Sequence, residues 1–268
     1  MVPTANAAIV ENIAIANAKA ISLGNAVTAD PPGIDSIHFN PAGLTLLEGR
    51  QYQLKILAAK FGFEVEFGEH KQDFTQAIFD ALGYEDEAVN STSTNSAVGS
   101  KIPGKEGINE YPFPVVVMPF GGASFKSKDS RWTFASAVYT PMASGYIRDD
   151  DDPGRFLGKR MAMTKITYFS PSVGYRVTDT FSVGLSVGMS WQGLGVVTEF
   201  RIPSLVTAAV DKGEEIINAI YGCSTDDCNS GINPYSSLFE LEFDAEDSFV
   251  TNINVGLLWK PPPWSSWG

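Results

Sequence analysis

The clearest periodic pattern in the chain is a strict alternation of large apolar and small residues over 181–191. Its odd positions hold Phe, Val, Leu, Val, Met and Trp, and its even positions hold only Ser or Gly. This period of two predicts a β-strand with one apolar face and one small, polar face. Tilted by about 40°, such a strand spans roughly 25 Å, the height of the apolar band of a transmembrane β-barrel. Phe181 and Trp191 at its ends match the aromatic girdles of such barrels.

The strand-like runs along the chain are separated by connections of two lengths. The runs cover residues 51–67, 112–125, 131–141, 161–177, 181–201, 236–245 and 249–259. Short connections follow the second, fourth and sixth runs, at 126–130, 178–180 and 246–248, and long ones follow the first, third and fifth. In an up-and-down barrel this puts the long loops at one end and the short turns at the other, as in bacterial outer-membrane barrels. The predicted fold class is all-β: a transmembrane, antiparallel, up-and-down β-barrel.

Two segments outside the strands have helical character. Residues 203–221 place apolar side chains at helical spacing between charged ones, with an interruption at Gly213. In the third long loop, this helix either folds onto the barrel rim or forms an apolar cover over a ligand entrance. The second candidate is the stretch 9–21, which is rich in Ala and Ile.

Composition and charge exclude several classes of protein. The chain has 268 residues, a net charge of -12 and 44% hydrophobic residues. The negative charge and the lack of a basic stripe exclude nucleic acid as a partner. No window reaches the roughly 18 consecutive apolar residues of a membrane helix, so barrel strands are the only way in which this sequence spans a membrane.

No arrangement of side chains predicts an enzyme, a metal site or a cofactor site. Residues 184–188 match the nucleophile-elbow pattern of serine hydrolases, but no histidine follows Ser186, and strand alternation explains the match. The acidic run 149–152 lacks the spacing of a calcium loop and predicts a solvated loop. Cys223 and Cys228 are a candidate disulfide that staples a polar loop in an oxidising compartment; two free thiols are the alternative.

A compact turn with apolar residues stands directly before the first predicted strand. Its residues are Phe39, Asn40, Pro41, Ala42, Gly43 and Leu44. The order Asn-Pro-Ala-Gly restricts the backbone to a tight turn, because proline fixes its own φ and limits the residue before it. In this position the turn lies either inside the barrel as a plug or outside it as an ordinary periplasmic lead-in.

Taken together, these segments resemble the FadL/TodX family of outer-membrane transporters for long-chain fatty acids and aromatic hydrocarbons. The resemblance rests on Gly24–Ala26, Ala29–Asp30, Phe39–Leu44, Phe113–Ser124, Trp132–Tyr139 and Ser172–Gly188. The first three segments are similar to the hatch of the family, where a run of small residues ends in Asn-Pro-Ala. The resemblance covers most of the chain.

The resemblance implies a monomeric barrel in the outer membrane of a Gram-negative bacterium. In it, residues 1–50 form an N-terminal hatch segment that plugs the lumen, and residues 51–268 form barrel strands with long extracellular loops. A hydrophobic small molecule crosses by passive diffusion and leaves sideways into outer-membrane lipid, through an irregularity in the third strand. Thr140 and Pro141 are the candidates for this lateral opening. No cofactor is implied.

The number of predicted strands departs from the family. About seven strands is an odd number and about half of what the family uses, whereas single-chain bacterial barrels have an even number. We therefore expect the barrel to be incomplete in this chain. Two other function classes stay open: a structural outer-membrane barrel or adhesin without transport, and a soluble, secreted lipid-binding β-protein. A hatch across the lumen favours transport; burial of Val183, Leu185 and Val187 between two sheets favours the soluble protein.

Overall fold

A seven-stranded antiparallel sheet forms the main part of the structure, and two two-stranded sheets lie in the loops. The computed structural model describes residues 17–60, 62–111, 115–221 and 231–260. In chain order the strands are β1 (Arg50–Ala59), β2 (Glu64–Glu66), β3 (Thr92–Thr94), β4 (Val98–Ser100), β5 (Asn109–Tyr111), β6 (Val116–Phe125), β7 (Trp132–Ile147), β8 (Arg160–Phe169), β9 (Ser172–Arg176), β10 (Phe181–Phe200) and β11 (Phe239–Trp259). The large sheet, called the wall below, runs β1-β6-β7-β8-β10-β11, and β9 pairs with both β7 and β10.

The helices lie before the first strand and in the long loops. They are α1 (Ala18–Ser22), α2 (Ser36–Phe39), α3 (Phe74–Leu82), α4 (Arg155–Gly158) and α5 (Leu205–Tyr221), with 3₁₀ helices at Gly33–Asp35 and Pro41–Leu46. The predicted loop helix over 203–221 is confirmed as α5, whereas of the predicted helix over 9–21 only the part from residue 17 onward is described, where α1 lies. None of the helices in the described ranges is long and apolar enough to cross a membrane.

The two faces of β10 confirm the alternation predicted from the sequence. Ser182 and Ser190 are at most 7% exposed, whereas Leu185 between them is 42% exposed. The small residues thus face inward and the large apolar residues face outward, as expected for a strand in lipid. Because Leu185 is exposed and Val183 and Val187 are only partly buried, they do not lie between two sheets, and the soluble alternative is wrong.

Trp191 does not face the membrane as the girdle prediction requires. The register of β10 shifts against β8 between Met189 and Ser190, and against β11 between Ser190 and Gln192. An irregularity of this kind moves the following side chains to the opposite face. Trp191 is therefore only 5% exposed, and Gln192 is exposed instead.

The last two predicted strands are one continuous strand. The predicted turn at 246–248 lies inside β11, where Glu246 pairs with Gly193 and Asp247 with Gln192. Glu246 and Asp247, which belong to the predicted short connection, are ladder residues of β11 beside the register shift opposite Trp191.

Two other predicted runs are shorter or interrupted. The run over 51–67 ends at Ala59, and residues 64–66 form the separate strand β2, which pairs with β3 in the first long loop. The run over 161–177 is divided into β8 and β9 at Pro171, which has no amide proton to donate to the ladder. Since β8 and β9 both pair with β7 and β10, they share one position of the wall.

The other connections alternate in length as predicted, although the third short connection, predicted at 246–248, is absent because those residues belong to β11. Residues 126–131 and 177–180 form short turns at one end of the wall, and residues 60–115, 148–159 and 201–238 form long loops at the other. Within the described residues, β1 and β11 each pair on one side only. The sheet is therefore an incomplete up-and-down barrel.

Candidate functional site

The predicted hatch turn lies against the inner face of the wall. Residues 41–46 form a 3₁₀ helix that contacts β9, β10 and β11. Asn40, Ala42 and Leu44 are at most 3% exposed, and Phe39 is half-buried. The structure thus brings the six predicted residues of the turn together on the lumen side.

Asn40 holds this turn in place through its side-chain amide. Its Oδ1 accepts a hydrogen bond from the Ala42 amide at 3.1 Å, which caps the 3₁₀ helix. Its Nδ2 donates to the Thr28 carbonyl at 2.8 Å and to the Leu257 carbonyl of β11 at 3.0 Å. One side chain therefore joins the turn to both the preceding segment and the wall.

Two paired glycines allow the turn to approach the wall so closely. Gly184 of β10 is the partner of Gly256 of β11 in the ladder. A Cβ on Gly184 would lie 2.2 Å from the Pro41 carbonyl carbon, and one on Gly256 would lie 2.1 Å from Asn40 Oδ1. Any larger residue at either position collides with the turn, so the small face of β10 is a docking surface for backbone.

An ion pair fixes the residues before the turn to the first strand. The buried carboxylate of Asp35 contacts the ammonium of Lys55 on β1 and accepts a hydrogen bond from Asn17. Burial raises the pKa of Asp35. The hydrogen bonds from Lys55 and Asn17 favour the charged form and oppose this rise, but their effect is smaller. A buried carboxylate needs such partners, so this contact ties the hatch segment to β1.

A cleft opens in the wall beside the predicted lateral-opening residues. The β6–β7 ladder ends at the pair Phe120 and Tyr139, although both strands continue past it. On the other side of β7, the register against β8 shifts between Tyr139 and Met142, where Thr140 and Pro141 lie. Pro141 cannot donate to a ladder, which explains why pairing is interrupted here.

A cavity of about 440 Å³ occupies this cleft. Its lining includes the outward-facing Leu54, Val117 and Val138, which are at least 45% exposed, and the inward-facing Val116, Phe120 and Tyr139, which are at most 4% exposed. Thr140 also lines the cavity, and Pro141 is the next residue along β7. Because residues from both faces contribute, the cavity lies within the thickness of the wall at the cleft.

The hatch segment touches this cleft through His38. Its ring meets the Tyr139 ring edge-on, with 5.8 Å between centroids. Burial, with a smaller effect from Lys165, lowers the pKa of His38 to about 4. The imidazole is therefore neutral at pH 7 and packs as an aromatic group.

Sequence reasoning missed the charged residues of this region. Asp35, His38 and Lys55 stand in the sequence without a neighbouring partner or motif, and Lys101 belongs to a Gly-rich loop that predicts no binding site. Their partners lie far away in the chain, so no local pattern identifies them. The predicted pair Cys223 and Cys228 lies outside the described residues.

The chain is similar to known proteins in sequence and in fold. A family model described as outer membrane protein transport protein (OMPP1/FadL/TodX) matches residues 1–268. No curated protein matches the chain. The crystal structure of a Pseudomonas aeruginosa FadL homologue matches with a TM-score of 0.51 and 17% identity, over 98% of this chain and 50% of that chain, so this chain spans about half its length. That of the Ralstonia pickettii toluene transporter TbuX matches with a TM-score of 0.39 and 17% identity, over 66% of this chain and 38% of that chain.

Proposed function

Since the chain belongs to the OMPP1/FadL/TodX family of outer-membrane transport proteins, we propose that it carries hydrophobic molecules across the outer membrane of a Gram-negative bacterium by passive diffusion. The ligand class is long-chain fatty acids or aromatic hydrocarbons. The outer membrane is the location of the family, and the outward-facing apolar residues of β10 suit it. The protein works as a monomer once its barrel is complete.

The observation that carries this proposal is the cavity in the wall at the β6–β7 cleft, which residues of both faces line. Its lining is mainly apolar, and we propose that it opens to both sides of the wall when a ligand passes. An apolar solute gains about 0.8 kcal/mol for each CH₂ group that it removes from water, so a continuous apolar route favours its movement without any covalent step.

The hatch segment and the cleft have different roles in this mechanism. The turn at Asn40–Leu44 blocks direct passage along the lumen, since it lies against β9, β10 and β11. The irregularity at Thr140 and Pro141 gives the ligand a sideways exit into the lipid of the outer membrane. A ligand that leaves sideways avoids the periplasmic water on the far side of the hatch.

The exit is tested by filling the cleft. Thr140→Trp places a large ring among the lining residues, whereas Ser136→Trp adds the same ring on the outward side of β7, outside the lining. We expect Thr140→Trp to reduce uptake of a labelled long-chain fatty acid or aromatic hydrocarbon by about tenfold or more, the effect of about 1.4 kcal/mol. Ser136→Trp should keep normal uptake. If neither the unmodified protein nor Ser136→Trp takes up the labelled compound, the structural-barrel alternative is supported.

A further inference from the structure

The β4–β5 hairpin, residues 98–111 of the first long loop, folds inward against the wall. Gly145 of β7 and Gly195 of β10 provide the space for it. A Cβ on Gly145 would lie 2.3 Å from the Gly99 carbonyl oxygen, and one on Gly195 would lie 2.7 Å from Ile108 Cγ1. The hairpin therefore lies on the lumen side, at the long-loop end of the cleft.

The first strand of this hairpin bridges the two sides of the cleft. Val98 is 1% exposed and packs in one cluster with Val116 and Met118 of β6 and Ala143 of β7. Beyond it, residues 100–103 line the cleft cavity. The hairpin thus forms the boundary of the cavity on the side of the long loops.

A buried lysine holds the hairpin to the far edge of the wall. Lys101 is 2% exposed, and its ammonium donates to the Lys105 carbonyl at 2.8 Å, the Gly107 carbonyl at 3.2 Å and the Asp244 carboxylate of β11 at 2.7 Å. The same carboxylate accepts a hydrogen bond from the Gly107 amide at 2.7 Å. These acceptors use all three protons of the ammonium.

We propose that the β4–β5 hairpin is an inward-folded lid over the cleft cavity and that the Lys101–Asp244 ion pair is its latch. The inference rests on the proposed function, because the lid must lift for a ligand to reach the cavity from the long-loop side. The latch suits a reversible closure: both ions regain water when the hairpin lifts, and this hydration offsets much of the lost attraction.

The latch is tested by labelling a buried position. Val98→Cys, in a protein with Cys223→Ser and Cys228→Ser, is exposed to a membrane-impermeant maleimide on intact cells. We expect the cysteine introduced by Val98→Cys to react slowly with the maleimide. Its reaction should be about tenfold faster when Asp244→Asn or Lys101→Met removes a charge-assisted hydrogen bond of the latch. Glu246→Gln, which removes a like charge two residues along β11, should leave the rate unchanged. Equal rates in all four proteins would overturn the latch.

The lid is tested by locking it. Ile108→Cys and Gly195→Cys place two cysteines at positions in contact across the lid and β10, and neither position lines the cavity. We expect uptake of a hydrophobic probe to be lost in the oxidised double variant and restored by reductant. Ile108→Cys alone is the control and should leave uptake unaffected, because it keeps the space at Gly195, whereas Gly195→Cys alone collides with Ile108. Equal uptake in the oxidised and reduced double variant would overturn the lid alone. If the protein without these substitutions takes up no probe, the proposed function is overturned. The labelling rates test the latch independently of that result.

Discussion

Phe120 and Tyr139 form the last residue pair of the β6–β7 ladder, with 6.0 Å between their ring centroids. The hatch segment reaches both members of this pair. The ammonium of Lys55, which is paired with Asp35, lies 4.4 Å from the centroid of the Phe120 ring, and His38 contacts Tyr139. The hatch segment therefore meets the Tyr139 ring directly, through His38, and the Phe120 ring through Lys55 of β1, the partner of Asp35.

Asp35→Asn should loosen the hatch segment. The substitution removes the carboxylate that balances Lys55 in a buried setting, and we expect a loss of about 2 to 3 kcal/mol in the stability of the docked segment. Hydrogen exchange of residues 33–46 measures this loss. Asp30→Asn is the matched control, because the Asp30–Lys19 pair is exposed and should contribute at most about 1 kcal/mol. Equal effects of the two substitutions would contradict the assignment.

Acidification should weaken the docking of the hatch segment through His38. Burial lowers the pKa of His38 from 6.5 to about 4, so its contribution to stability is complete above pH 6.5 and is lost as the pH falls from 6.5 toward 4. At pH 5 the loss is about 2 kcal/mol by linkage. Thermal unfolding at several pH values measures it, and His38→Gln should remove this part of the pH dependence. The unmodified protein and His38→Gln both contain Asp35, so its titration affects them equally. An identical pH profile of the two proteins would rule out the effect of His38.

Gly184→Ala should displace the hatch turn, whereas Gly188→Ala should not. A Cβ on Gly184 meets the backbone of Pro41 and Ala42. One on Gly188 meets only the side chain of Asn252, which is held within the described residues by a single long contact, 3.5 Å from the Ser190 hydroxyl, and can move aside at small cost. We expect a cost of about 1 to 3 kcal/mol for the first substitution, typical of overpacking. Faster entry of a large hydrophilic antibiotic in Gly184→Ala alone is the measurement. Similar permeability of both variants would mean that the turn does not block the lumen.

Asn40→Ala should cost more than Asn254→Ala. Asn40 donates to Thr28 and Leu257 at 2.8 and 3.0 Å, and both carbonyls lose this partner in the variant. Asn254 donates to the Ile37 and His38 carbonyls at 3.4 and 3.3 Å, which are weaker contacts. We expect about 1 to 3 kcal/mol for Asn40→Ala, and less than half of that for the control. Protease sensitivity of the hatch segment ranks the two variants, and the reverse order would contradict the prediction.

The local patterns of the sequence predict much of the wall. The alternation over 181–190 predicts which side chains of β10 face outward, because a period of two depends only on the backbone of the strand itself. The lengths of the connections predict the two ends of the barrel. The order Asn-Pro-Ala-Gly predicts a tight turn before the first strand, and the structure places that turn on the lumen side.

The features that depend on a partner strand are not predictable in this way. Trp191 turns inward because β10 shifts register against both neighbours, and nothing in its own segment indicates this. Gly145 lies beyond the predicted end of its strand at 141, whereas β7 continues to Ile147, and no local pattern indicates the hairpin that packs on this glycine. The partners of Lys101 and Lys55 likewise lie 143 and 20 residues away in the chain.

The inner face of β10 contacts the hatch segment through hydroxyl groups, glycines and backbone. Thr45 of the hatch segment lies 2.9 Å from Ser182 of β10 through their hydroxyl oxygens, and the neighbouring contacts are made by glycine and backbone. At β10 the contact therefore buries little apolar surface. The apolar side chains of the hatch segment pack elsewhere, in a buried cluster with β6 and β7 that contains Ile34, Ile37, Leu44, Leu47, Phe120, Ala135, Ala137 and Tyr139. The hatch segment is thus held by apolar packing at β6 and β7 and by hydrogen bonds at β10, so we expect it to separate from β10 first.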